Sequence, residues 1–260
     1  MKYILKPAAA GVMLVLPFAA LAQTSLTTDS TGDSFLDASK PTANFGKAGT
    51  LAIAAATSPV GAIDTVMQFN LGSVDSQFNT TYGAGNWTVT GISLSLASNF
   101  GTANANPGNA LLPVVSGGNF GIDWISYDGW LEGTGNGMGS GNTVSGAVTY
   151  NSVPTLLGST VDSLGTFAYA PPGNNVYVNY ALPLDSGLVT AIKNAGDVSF
   201  YFYAADNSIG YLFNSKDFGG NANIPELTLT VNPVPEPATL SLVALSFAAL
   251  LQPRWWKRKK

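Results

Sequence analysis

Apolar residues recur at every second position along most of this chain, and that period confines it to β-structure. Ile92, Leu94 and Leu96 point one way while Gly91, Ser93 and Ser95 point the other. Val176, Val178, Tyr180 and Leu182 repeat the pattern, as do Val198, Phe200 and Phe202 against Ser199, Tyr201 and Tyr203. Leu227, Leu229 and Val231 alternate with Thr228 and Thr230, and Thr65 to Phe69 reads as a further strand. Side chains of a strand face alternately up and down, so such runs bury one face only. Gly, Pro and Asn clusters at residues 104–109, 133–141 and 171–175 mark chain reversals. One helix is expected from Leu184 to Asn194: Leu184, Leu188 and Ile192 are four apart, Asp185 caps the start and Gly196 ends it. Many short strands with Gly and Pro turns predict an all-β fold, a jelly-roll-like β-sandwich with one short helix.

Both ends differ from this body. Met1 to Ala22 has the pattern of a secretory signal peptide: Lys2 and Lys6, an apolar stretch from Ala8 to Phe18, and the small residues Ala20 and Ala22 at a cleavage site that leaves Gln23 first. Residues 233–260 carry Val234-Pro235-Glu236-Pro237, an apolar run from Leu240 to Leu251, and the basic residues Arg254, Lys257, Arg258, Lys259 and Lys260. The run counted from Ala238 through Trp256 reaches a marginal transmembrane span, and the basic cluster keeps its end in the cytoplasm.

Between these ends, residues 23–232 form a single expected domain. Four lysines (Lys40, Lys47, Lys193 and Lys216) face fourteen carboxylates there, a net charge near −10, against −4 for the whole chain. The body has no Arg, His or Cys. Disulfides are therefore excluded, and so are the usual zinc, copper and haem ligand sets and His-based hydrolase triads. The acidity argues against nucleic acid as a partner.

The residues that carry chemistry gather between Gly121 and Gly133. Trp124, Tyr127 and Trp130 are aromatic faces able to stack on sugar rings if they lie on a loop. Asp123, Asp128 and Glu132 offer hard oxygen ligands for calcium, and Asp29, Asp33 and Asp37 form a second acidic series. A glycosidase needs two acids at a set separation, which spacing alone does not supply, so the expectation is a non-enzyme.

Two resemblances follow from these residues. The tail of Pro-Glu-Pro, apolar run and basic cluster resembles a PEP-CTERM sorting signal of Gram-negative bacteria. That resemblance implies export by the Sec machinery, transient residence in the inner membrane, cleavage by an exosortase, and release to the surface or into extracellular polysaccharide. The body resembles a DNRLRE domain, which overlaps carbohydrate-binding module family 96. The likeness runs through Asp33 to Gly46, Thr65 to Leu71, Val89 to Leu96, Trp130-Leu131-Glu132-Gly133, Ala147 to Pro154 with Tyr150 in place of a Trp, Phe213 to Asp217, and Ile224 to Leu227. Lys216 and Asp217 replace the family's Arg and Glu, and Gln68 stands where Arg is usual. The two resemblances together imply a non-catalytic matrix or biofilm protein that contacts glycan. The alternatives are a structural surface protein that binds no sugar, and a polysaccharide-degrading enzyme.

Overall fold

The alternating stretches are strands, each with one face in a core. The computed structural model describes residues 22–58, 60–99, 117–135, 145–170, 172–207, 209–219, 223–234 and 246. In chain order the strands are β1 (Thr24–Asp37), β2 (Thr50–Ala54), β3 (Ile63–Asn70), β4 (Trp87–Asn99), β5 (Asn119–Ile125), β6 (Val161–Ala168), β7 (Tyr177–Leu182), β8 (Asp197–Ala204), β9 (Gly210–Asn214) and β10 (Glu226–Pro233). The helices are α1 (Gly72–Tyr82), α2 (Val153–Leu156) and α3 (Ser186–Lys193).

All strand pairs are antiparallel. The first part of β1 pairs with β10, β10 with β4, and β4 with β7. The second part of β1 pairs with β3, and β8, β5 and β6 follow in order. β2 and β9 bridge the remaining gap, because β9 also pairs with the end of β4 and β2 with β3. Hydrogen bonding therefore closes on itself through β1, β10, β4, β9, β2 and β3. Such closure removes most of the unpaired edge that an open sheet exposes.

The main core fills this barrel-like interior. Trp87, Phe69, Phe120, Phe200, Phe202 and Tyr211 are all fully enclosed in it. A second cluster lies on the opposite face of β3, β5 and β8: Leu36, Val66, Ile125, Trp130, Val148, Leu156 and Tyr201. The chain after β5 folds back over that face to cover it. Neighbours in β8 and β5 thus enter different cores: Phe200 and Trp124 the first, Tyr201 and Ile125 the second.

Three sequence expectations need correction. The stretch Gly121 to Gly133 is not one loop, since its first part lies in β5. β5 is buried on both faces, which erases the polar alternation that marks a half-buried strand. Among the described residues there are three α-helices and a 3₁₀ turn at Tyr150–Ser152, not one helix. The composition of α1 hides it, because it is rich in Gly, Ser, Asp, Asn and Thr, which are poor helix formers. It buries Val74, Phe78 and Tyr82 at a spacing of four, with Phe78 packed on Trp87 at 5.2 Å between ring centres. α3 does form, and the Asp185 carboxylate accepts from the N–H groups of Gly187 (2.8 Å) and Leu188 (3.0 Å). Its reversal falls on Ala195, at φ 55°, rather than on Gly196.

Among the described residues, no helix is long and apolar enough to cross a membrane. The expected signal peptide up to Leu21, the motif residues Pro235, Glu236 and Pro237, the transmembrane run, and Arg254, Lys257, Arg258, Lys259 and Lys260 lie outside the described residues.

Candidate functional site

Lys216 closes a node of charge at the end of β9. Its Nζ lies 2.8 Å from Asp217 Oδ2 and 3.0 Å from Glu132 Oε1. Lys47 reaches the same acids, at 3.0 Å from Asp217 Oδ1 and 3.9 Å from Glu132 Oε2. Beneath them Asp33, 1% exposed, accepts from Ser215 Oγ at 2.8 Å and from the Lys216 N–H at 2.7 Å. Glu132 Oε1 in turn accepts from the Asp33 N–H at 3.1 Å.

The electrostatics follow from burial. Desolvation pushes the Asp33 carboxyl up to about 7, against the hydrogen bonds from Lys216 N and Ser215 that oppose it. Burial also raises Glu132, outweighing its lysine partners. For Lys216 burial acts downward, but the Asp217 and Glu132 carboxylates outweigh it and hold the ammonium above its ordinary range. For Asp217 burial acts upward, and Lys216 and Lys47 reverse it.

Asn44 ties this node to the covering segment. Its Nδ2 donates to the carbonyls of Glu132 (2.6 Å) and Val148 (2.7 Å). Its Oδ1 accepts from the N–H groups of Gly46 (3.3 Å) and Gly135 (2.8 Å). Gly46 has to be glycine here, because a Cβ would sit 2.7 Å from Glu132 Cγ and closer still to its backbone. A second polar chain lies behind it. Trp130 Nε1 donates to Ser199 Oγ at 3.0 Å, and Gln68 Nε2 donates to the Asp128 carbonyl at 2.8 Å.

The acids named for calcium, Asp123, Asp128 and Glu132, do not converge. Asp123 hydrogen-bonds with Ser163 and Tyr203, Asp128 with Ser199, and Glu132 with Asp33 and Lys216. The carboxylates that do meet, with one oxygen of each within 4.8 Å of the others, are Asp33, Glu132 and Asp217. The Lys216 ammonium already supplies positive charge there, so these residues do not fit a divalent ion. Asp29 and Asp37 lie apart from that group: Asp29 is exposed, and Asp37 is buried and accepts from Ser39.

The three aromatic candidates separate as well. Trp124 is 6% exposed inside the main core, and Trp130 is 7% exposed in the second. Neither presents an open ring face to solvent: Trp124 is enclosed as part of β5, and Trp130 packs beneath the segment that covers the second core, which goes against the reading of either as an open sugar platform. Tyr127 is half-buried and lines a groove of about 200 Å³ with Trp130, Gly146, Val148, Ser152, Thr155 and Leu156.

The face of β8 turned away from the main core carries two tyrosines, Tyr201 buried in the second core and Tyr203 half-buried at its edge. Tyr201 and Tyr203 lie there with ring centres 6.2 Å apart, beside Asp123. Tyr201 donates to Asp64 Oδ2 at 2.6 Å. The signal was available: the period that sends Phe200 and Phe202 inward sends Tyr201 and Tyr203 outward.

At the other end of the body, Ala22 is exposed and its carbonyl accepts from the Tyr82 hydroxyl at 2.7 Å. The Val234 N–H donates to the Asn86 carbonyl at 2.9 Å, and the Val234 side chain is 44% exposed. No protein-family model and no curated protein matches this chain.

Proposed function

We propose that this is an exported, non-catalytic protein of the extracellular polysaccharide or biofilm matrix, delivered by its amino-terminal signal and freed from a membrane tether by cleavage near Pro235-Glu236-Pro237. The observation that carries this reading is where the fold ends. Pro233 still pairs with Trp87 in the sheet, the N–H of Val234, the first residue of the motif, donates to the Asn86 carbonyl, and Pro235-Glu236-Pro237 follows directly in the sequence. A processing enzyme needs an accessible stretch, and the exposure of Val234, the residue before Pro235, supports one at this position. Thr24 pairs with Val231, so the start of β1 and the end of β10 lie side by side.

We read the finer fold as a jelly-roll-like β-sandwich of the DNRLRE kind. Asp33, Asn44, Gly46, Trp130, Glu132, Ser215, Lys216 and Asp217, which carry the resemblance, come together around one charged node, and this supports the reading. Lys216 and Glu132 take the ion-pairing part there.

Burial of Trp124 and Trp130 favours a second reading, in which the body is structural and binds no sugar.

The test is fractionation of an exosortase-bearing host. Wild-type protein is expected in the medium or matrix without its tail, by mass spectrometry. A Pro235→Ala, Glu236→Ala double variant is expected in the membrane fraction at higher mass. Recovery of the chain from the cytosol with both ends intact would refute the proposal.

A further inference from the structure

We propose that the chain after β5, in its two described stretches 126–135 and 145–157, is a pH-sensitive flap, clamped over the second core in acid and loosened in neutral to alkaline solution.

Three carboxyls are shut in beneath this flap, and each faces polar groups rather than a cation. Asp128, on the flap itself, meets Ser199 and lies near Asp197. Asp123, on β5, meets Ser163 and Tyr203. Asp64, on β3, takes the Tyr201 hydroxyl at 2.6 Å and has Tyr150 of the flap nearby. The Oδ1 atoms of Asp123 and Asp128 are enclosed and lack a protein partner. An ionised carboxylate in such a place bears its full desolvation cost, whereas the protonated form has no charge to solvate.

The positive charges stand elsewhere. Lys47 and Lys216 sit at the margin, paired with Glu132 and Asp217 above Asp33. Lys193 lies over the Trp87 ring, and Lys40 is exposed in the turn after β1. Among the described residues, the carboxyls that burial raises are Asp33, Asp64, Asp123, Asp128 and Glu132, all beneath the flap or at its margin. Asp217 opposes them, but its two lysines lower it, so it titrates on the acid side of the others.

The flap is held by less regular structure than the sheet below it. One bridge, Leu131 to Ala147, joins its two stretches, and its helical content is a 3₁₀ turn and the four-residue α2. A groove of about 200 Å³ opens among Tyr127, Trp130, Val148 and Leu156, so its apolar seal is incomplete. Segments with few regular hydrogen bonds open locally at lower cost than paired strands. The closed flap holds protons that it releases when lifted, because water returns the acids toward their ordinary range. Closure is therefore fully supported below about pH 4 and loses that support as pH rises through about 6 to 7. Lifting the flap exposes Trp130 and Tyr201.

The test is hydrogen exchange of the full-length chain in mild detergent, read by mass spectrometry at about pH 5 and about pH 8 and corrected for the intrinsic rate at each. Peptides from 126–135 and 145–157 are expected to exchange ahead of those from β4 and β10 at both values. Their protection is expected to be about tenfold lower at the higher pH. Asp128→Asn and Asp123→Asn each put an amide of the same shape in place of a titrating group, and each should shrink that ratio about twofold or more. Where one variant fails to fold, the other decides. The proposal is overturned if flap protection is equal at the two pH values or greater at the higher one. It is overturned also if flap and β4–β10 peptides exchange together at both, or if neither variant changes the ratio.

Discussion

Asn44 holds the main-chain carbonyl of Glu132 through its Nδ2 at 2.6 Å, across 88 residues of sequence. Its other three hydrogen bonds reach Val148, Gly46 and Gly135, and the side chain is 2% exposed. One amide therefore joins the turn after β1 to both sides of the covering segment. Asn44→Ala strands two carbonyls and two N–H groups at once. A loss of about 3–4 kcal/mol is expected in urea unfolding, because buried orphaned groups cost about 1–3 kcal/mol each and partial relaxation limits the sum. Asn44→Asp is expected to lower stability as well, since a carboxylate cannot donate to the Glu132 and Val148 carbonyls.

Lys216 and Lys47 supply the positive charge between Glu132 and Asp217, above Asp33. Wild-type melting temperature is expected to be the same in millimolar calcium and in chelator. Lys216→Met removes the ammonium and leaves Asp33, Glu132 and Asp217 facing one another. That variant should lose about 2 kcal/mol, less than a fully buried pair because the partners are partly exposed. Calcium should restore part of the loss in the variant alone. Differential scanning calorimetry with and without the ion reads both effects.

Protonation should stabilise this body. Burial lifts Asp33 to about 7, and Asp64 and Asp128 to about 6, against an ordinary value of 3.8. The folded state therefore binds these protons at a higher pH than the unfolded state does. Stability is expected to fall as pH rises from about 4 to about 7, and to level off above that. Asp217 acts in the opposite sense, with its contribution lost as pH falls below 3.8. Asp128→Asn should flatten the slope between pH 5 and 7 in denaturant titrations.

Removing the outward side chains of β10 should matter little, while removing the inward ones should be costly. Leu229 is 1% exposed in the main core, whereas Thr228 is half-exposed and exchanges a hydroxyl hydrogen bond with Thr27 at 2.8 Å. Leu229→Ala is expected to cost about 3 kcal/mol. Thr228→Ala should stay within about 0.5 kcal/mol. Chemical denaturation of both variants checks the contrast.

Legibility in the sequence followed exposure. β7 and β10 were readable because one face of each meets solvent, and β8 because its second face, though buried, carries Ser199, Tyr201 and Tyr203, which keep the alternation visible. β5 and β9 were not, since Gly210 to Asn214 is buried at every position and Trp124 and Ile125 enter different cores. The same double burial misdirected the site. Trp124 looked like a loop platform only because the strand around it carried no period. Asp33 and Glu132 stood apart in the sequence, and only the fold places them against Lys216.

β10 lies between β1 and β4, as an inner stave rather than an outer one. The first strand therefore waits, half-zipped, for nearly the whole polypeptide to be made before its partner arrives. Assembly cannot be finished piecemeal from the front. An unfinished chain carries open, adhesive edges until its final stave slots home, so holdase chaperones should influence yield more than late-stage stabilisers do.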